Sequence, residues 1–184
     1  MVPEALMENA PGGKKPAGEG WFVINACEAQ LIHNEKFGAS VTFEGSPHLG
    51  EPTWFTQLGI NIQVLWPGQP NGYYHSEDDQ EDFLVLSGEC LLLIEGEERR
   101  LKAWDFVHCP PRTEHVFVGS GNGPCVFVGV GGRHVDERLL YPVSALGLRH
   151  GASVIEETTS SEVAFAGTPE TKPGPCPAGL LVGA

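Results

Sequence analysis

From Gly59 onward, apolar and polar residues alternate with a period of two. Ile60-Asn61-Ile62-Gln63-Val64-Leu65 reads as a half-buried strand, and Pro67-Gly68 stops it. Asp82 to Ser87 is the next strand, ended by Gly88-Glu89, and Cys90 to Ile94 follows, ended by Glu95-Gly96. Arg99-Arg100-Leu101 begins a return strand. Phe106 to Cys109 is closed by Pro110-Pro111, His115 to Val118 by Gly119 to Pro124, and Cys125 to Val130 by Gly131-Gly132. Upstream the pattern is weaker: strands are expected at Trp21 to Ala26 and Ser40 to Glu44, with a loop from Ser46 to Pro52. Short strands, regular turn signals and no intervening helix predict an antiparallel barrel or sandwich. One short helix is expected from Ser144 to His150, with Ser144 as N-cap and Gly151 just past its end.

At 184 residues the chain suffices for one buried core and is too short for two ordinary domains with linkers. It divides into a flexible N-terminal arm at 1–20, a β-barrel at 21–143, and a segment at 144–184. That last segment holds the short helix and an irregular tail punctuated by Pro169, Pro173, Pro175 and Pro177.

Charge removes two classes of partner. Acidic residues number 24 against 11 basic ones, a net −13, which repels both a nucleic-acid backbone and an anionic membrane surface. No apolar run is long enough to span a bilayer, and the first fifteen residues lack the apolar stretch of a secretory signal. The five cysteines are odd in number and include no C-x-x-C pair, so neither a disulfide framework nor a thiolate zinc site is expected. Three of them lie in or beside apolar runs, where a free Cys packs as a small hydrophobe, and a reducing cytoplasm fits this usage.

The chemistry concentrates between Pro67 and Gly119. His75 and Glu77 are two residues apart in an extended segment, so they share a face, and Glu81 keeps the same parity. Imidazole and carboxylate groups on the inner face of a barrel must offset their desolvation, and binding a cation does so directly. With His115 they supply two imidazoles and a carboxylate, the facial set of non-haem iron sites, which also serves zinc, manganese or nickel. Singly, each would be an ordinary polar residue at a strand end. The combined spacing, flanked by Gly88 and Pro110, favours one divalent metal ion.

These residues resemble the two motifs of the cupin family, over roughly the central third of the chain. His75 matches the first His, Glu81 the Glu and Gly88 the closing Gly of the first motif, while Pro110 and His115 match the Pro and His of the second. Glu77 stands where the family has a second His, and Gly68 lies one residue early. Trp104, Arg112 and Gly119 replace two glycines and an Asn. The resemblance implies an all-β fold, an antiparallel double-stranded β-helix (jelly-roll) barrel, with a metal held by His75, Glu81 and His115. Glu77 is then either a further ligand or a hydrogen-bond partner of a metal-bound water.

The resemblance further implies a small-molecule enzyme of the dioxygenase, decarboxylase or isomerase kind. The other reading is a non-catalytic ligand-binding or sensing module. A phosphosugar enzyme needs Lys or Arg near its phosphate, yet His75 to Asp82 has none, and Arg112 and Lys102 are the few nearby. One of Tyr73 and Tyr74 should face the pocket. Trp104 is expected to pack as core beneath its turn, His108 to sit either at the pocket mouth or on the surface, and His33, His48, His134 and His150 to lie on the surface. A homodimer is expected, with Trp21 to Ile24 pairing against a neighbouring sheet.

Overall fold

Two antiparallel sheets face each other across an apolar core in the computed structural model of the chain, which describes residues 1–134 and 138–176. The strands are β1 (Met7–Ala10), β2 (Gly13–Pro16), β3 (Gln30–Asn34), β4 (Gly38–Thr42), β5 (Leu58–Leu65), β6 (Ser76–Glu77) and β7 (Glu81–Ser87). They continue as β8 (Glu89–Ile94), β9 (Glu97–Lys102), β10 (Phe106–Cys109), β11 (His115–Ser120), β12 (Cys125–Gly132), β13 (Leu139–Leu140) and β14 (Lys172–Gly174). Two short helices, α1 (Ala145–Arg149) and α2 (Ser161–Ala164), lie between β13 and β14. The larger sheet runs β10-β7-β12-β5-β4-β3-β14 and the smaller β11-β8-β9, while β6 pairs with β13 and β1 with β2.

Alternation sends every second side chain of each sheet into the space between them. Leu65, Phe83, Val85 and Phe127 of the larger sheet meet Cys90, Leu92 and Phe117 of the smaller, all buried. The rings of Phe117 and Phe127 stack at 4.7 Å, and Phe83 meets Phe117 at 4.6 Å. Each such side chain withdrawn from water contributes about 1.5–3 kcal/mol. Cys90, Cys109 and Cys125 are buried free thiols, packed as core. Between β7 and β8, Gly88 holds φ +74°, and a Cβ there would stand 2.3 Å from the Pro124 carbonyl oxygen, so only glycine closes this turn.

The strand expected at Trp21 to Ala26 is not formed. Trp21 makes a single parallel bridge to Glu4, and the apolar residues beyond it are used for packing instead: Ile24 and Ala26 lie against a cluster containing Leu31, Val41, Ile62, Val64 and Val126. Residues 1–20, which composition reads as an arm, contain the β1–β2 hairpin. The weakly patterned stretch after Ala26 supplies β3, whose run QLIHN is buried at all but His33. Periodicity fails there because both faces of the strand are covered.

The tail is not wholly irregular either. β14 pairs with β3, Pro173 opposite Ile32, which a proline tolerates because β14 is the last strand of the sheet. Pro177 lies outside the described residues. At α1, the Ser144 hydroxyl accepts a hydrogen bond from the Gly147 N–H at 3.0 Å, the expected N-cap, and Gly151 is left-handed. No helix of the described residues is long and apolar enough to cross a membrane.

Candidate metal centre

His115 opens β11 and His75 lies just before β6, and the two backbones pair as an isolated antiparallel bridge. Glu81 opens β7, on the facing sheet. One potential ligand atom from each of His75, Glu81 and His115 falls within 4.8 Å of the other two.

The two rings are held in the tautomer a metal ion needs. His75 Nδ1 lies 2.8 Å from the Tyr73 carbonyl oxygen, and His115 Nδ1 lies 3.0 Å from that of Thr113. A carbonyl only accepts, so in the neutral ring each Nδ1 carries the proton and each Nε2 presents a lone pair. His115 is 1% exposed, and its Nε2 is buried with no hydrogen-bond partner, although Glu81 Oε2 is only 3.3 Å away. An orphaned acceptor facing a carboxylate and a second imidazole is the donor set a divalent cation would satisfy. Glu77 turns toward the same site: its Oε1 is 3.5 Å from His75 Nε2, but it is not one of the three converging residues.

Electrostatics without a cation are strained. Burial, then repulsion from Glu77, pushes the Glu81 carboxyl up to about 7, while His75 pulls the other way. Burial and the neighbouring His75 charge lower His115 to about 4. For His75, burial works against the charged form but is outweighed by the hydrogen bond to Glu77 and the charges of Glu81 and Glu77, so its pKa is raised.

The surroundings include residues that sequence reasoning missed. Tyr141 stacks on His75 at 5.8 Å, and Phe83 packs on His115 at 5.3 Å. Asp79, between Glu77 and Glu81, is buried and accepts from the His134 N–H at 2.8 Å. Nothing local in the sequence marks Tyr141, because only the β6–β13 pairing brings its segment back to the site. Tyr73 and Tyr74 diverge: Tyr73 packs with Phe37 and Phe165, while Tyr74 joins Leu93, Val116 and Leu146.

Other candidates stand apart from the centre. His108 pairs in register with Asp82, on the opposite side of β10 and β7 from Glu81, and its Nδ1 is 2.7 Å from Asp82 Oδ1. Arg112 is bound to Asp78 at 2.9 Å. Trp104 is not core: it is 74% exposed. Both Trp104 and Arg112 hold left-handed backbone, at φ 74° and 70°, the geometry for which the family motif uses glycine.

A cavity of about 620 Å³ lies on the inner side of the larger sheet, with Asn61, Gln63, Asn71 and Arg133 in its wall. Two aromatic rings link it to the centre. Phe165 lines the cavity and packs edge-on against Tyr141 at 5.8 Å, and Tyr141 in turn stacks on His75. Across the sheet, a Cβ on Gly129 would touch both Asn61 Oδ1 and Phe83 at 3.3 Å, so these side chains meet over the bare glycine.

This is a jelly-roll barrel with an inward-facing cluster of two histidines and a carboxylate beside a polar cavity. Residues 61–131 match the cupin domain family. Among solved structures, it is similar to a sugar phosphate isomerase of the cupin superfamily from Silicibacter pomeroyi, 19% identical over 91% of each chain with a TM-score of 0.50. It is also similar to a polyketide cyclase from Streptomyces resistomycificus, 14% identical over 61% of this chain and 79% of that one, TM-score 0.50. A third, described as a predicted oxalate decarboxylase from Thermotoga maritima, is 18% identical over 61% of this chain and all of the other, TM-score 0.50. At these identities the likeness is one of fold. No curated protein gives a significant sequence match.

Proposed function

We propose that this barrel is a metal-dependent enzyme acting on a small organic molecule, with one divalent ion (iron, zinc, manganese or nickel) held by His75, Glu81 and His115. The observation that carries this reading is the buried, unpartnered Nε2 of His115, aimed at a site that also receives Glu81 and His75. These three residues would hold the ion, which would supply Lewis acidity toward a substrate oxygen. Beside them, Glu77 is placed to accept a proton or to hold a water, 3.5 Å from His75 Nε2. Phe83 and Tyr141 exclude water from the two rings. The three structural relatives are described by three different activities, so the reaction is kept at the level of metal-assisted chemistry on a small molecule.

Elemental analysis of protein purified without added metal, followed by reconstitution with each of the four ions, tests the assignment. About one equivalent per chain is expected. Failure of all four ions to bind would remove it.

We also infer a homodimer. With Trp21 to Ile24 not forming a strand, the pairing expected there gives way to the outer face of the larger sheet. Ile24 and Ala26 cover one part of that face, but Ile60 and Phe106 remain exposed on it, and a self-complementary patch is what a two-fold dimer buries. The buried free thiols accord with a cytoplasmic location.

A further inference from the structure

The cavity beside the metal centre has a distinctive balance of charge. Its one guanidinium, Arg133, is already committed. Nη2 lies 2.6 Å from Glu44 Oε1, and Nη1 donates to Glu44 Oε2 at 3.0 Å and to the Phe55 carbonyl at 2.8 Å. Glu44 is buried and is itself fixed by the Phe55 N–H at 2.7 Å, so the pair is a closed, neutral unit. Glu162 adds a negative charge to the lining, and the only other side chains there that can become positive are His33 and His48. An incoming phosphate or carboxylate would find no uncommitted guanidinium or ammonium group in this lining.

Uncharged hydrogen-bonding capacity, by contrast, is open. Gln63 Nε2 donates to Asn61 Oδ1 at 3.1 Å and to Ser40 Oγ at 3.4 Å, so the two amides pair through one N–H···O contact. Among the described residues, Gln63 Oε1 and Asn61 Nδ2 have no hydrogen bond, so an acceptor and a donor stand side by side. A hydroxyl group answers both at once. The Phe37 and Phe165 rings of the same cavity offer apolar faces, and the C–H face of a polyol or sugar ring packs on such surfaces.

We propose that this cavity, taken as the substrate cavity of the metal enzyme proposed above, selects an uncharged polyhydroxylated molecule and discriminates against phosphate esters and carboxylates. Glu44 is the residue that sets the preference. By occupying Arg133 it converts an anion site into a neutral one.

The test uses ligand-observed NMR on the full chain with glucose, myo-inositol, glucose 6-phosphate and glucuronate, with and without manganese. At least one neutral probe should bind, about tenfold or more tighter than the charged ones. Glu44→Gln, which keeps an acceptor for Phe55 but frees Arg133, should raise glucose 6-phosphate binding several-fold. Asn61→Leu combined with Gln63→Leu should weaken the neutral probes. Tighter binding of a charged probe to the unmodified protein overturns the proposal. So does the absence of neutral binding at about 10 mM, or an unchanged ranking in a folded Glu44→Gln variant. Line broadening of the bound neutral probe by manganese reports its nearness to the metal. Binding without broadening leaves the selectivity standing and removes the metal-site reading instead.

Discussion

His75 and His115 hold each other in place through their backbones: the His75 N–H donates to the His115 carbonyl at 3.1 Å, and the His115 N–H donates back to His75 at 2.8 Å. Their rings, 5.0 Å apart, therefore face the same point before any ion arrives. This reciprocal pair depends on main-chain groups alone, so a side chain can be removed without losing it. His115→Ala should abolish stoichiometric metal binding while circular dichroism shows the sheet intact, because Phe83, Val85, Phe117 and Phe127 still fill the core. Removal of an unpaired buried polar atom offsets part of the cavity cost, so the metal-free variant should lose no more than about 2 kcal/mol. Full metal occupancy in His115→Ala would refute the ligand assignment.

Metal affinity should rise with pH through neutrality. Bound ligands must be deprotonated, and Glu81, at about 7, still holds its proton in mildly acidic solution, as does His75 with its raised pKa. His115, at about 4, is already neutral there. Binding at pH 6 should therefore release about two protons. The metal-free protein moves the other way. The folded pKa values of Glu81 and His75 lie above their ordinary values of 4.5 and 6.5, so the native state retains protons that the unfolded chain has lost. Stability from these groups is lost as pH rises through the folded values. The lowered pKa of His115 opposes this between about 4 and its ordinary 6.5, which leaves the net loss visible above 6.5. Thermal melts from pH 6 to 8, with and without metal, should diverge. Parallel curves would mean that these residues do not share the ion.

Much of this architecture was legible in the chain, and the failures have identifiable causes. β5 and β7 through β12 announce themselves because each alternates or is bracketed by Gly and Pro, and the expected bounds match the observed ones within a few residues. The convergence of His75, Glu81 and His115 followed from parity and motif spacing together, with the structure adding the Nδ1 anchors and the orphaned Nε2. Trp21 to Ala26 misled because an apolar run says that a segment is buried, not that its backbone is paired. Tyr141 and Arg133 were invisible because their roles arise from contacts remote in sequence, Tyr141 with His75 and Arg133 with Glu44. Trp104 was misjudged because aromatic size argues for burial, whereas its left-handed turn faces solvent.

That turn gives a stability test. A non-glycine residue in left-handed backbone costs about 1–2 kcal/mol, whereas removing a core Trp side chain costs about 3–5 kcal/mol. Trp104 is exposed and strained, so Trp104→Gly should leave chemical-denaturation stability unchanged or raise it by up to about 1 kcal/mol, after allowance for the extra entropy of unfolded glycine. Arg112→Gly should behave similarly, since its ion pair with Asp78 is largely solvent-exposed and worth about 0–1 kcal/mol. A loss of several kcal/mol in Trp104→Gly would show that the ring is packed in solution, on this chain or on a second copy.

The dimer inference turns on Phe106. In register, Phe106 of β10 lies beside Leu84 of β7, and Leu84 beside Val128 of β12, so one outward row of the larger sheet is apolar across three strands. Ile60 of β5 lies in the adjacent row, opposite Val130 of β12. Ile24 and Ala26 pack against the buried cluster of Leu31, Val41, Ile62, Val64 and Val126 and so cover only one part of this face, leaving Phe106 64% exposed at its edge. Phe106 points away from Phe83 and Val85 of the core, so changing it should not disturb the barrel. Phe106→Glu places a charge into any interface formed there and duplicates it across a two-fold axis, where desolvating two like charges costs several kcal/mol. Sedimentation at micromolar concentration should show a dimer for the unmodified chain and a monomer for Phe106→Glu, with the melting temperature of the isolated chain little changed. A dimer that survives Phe106→Glu would move the interface off this face, and a monomeric unmodified chain would remove it altogether.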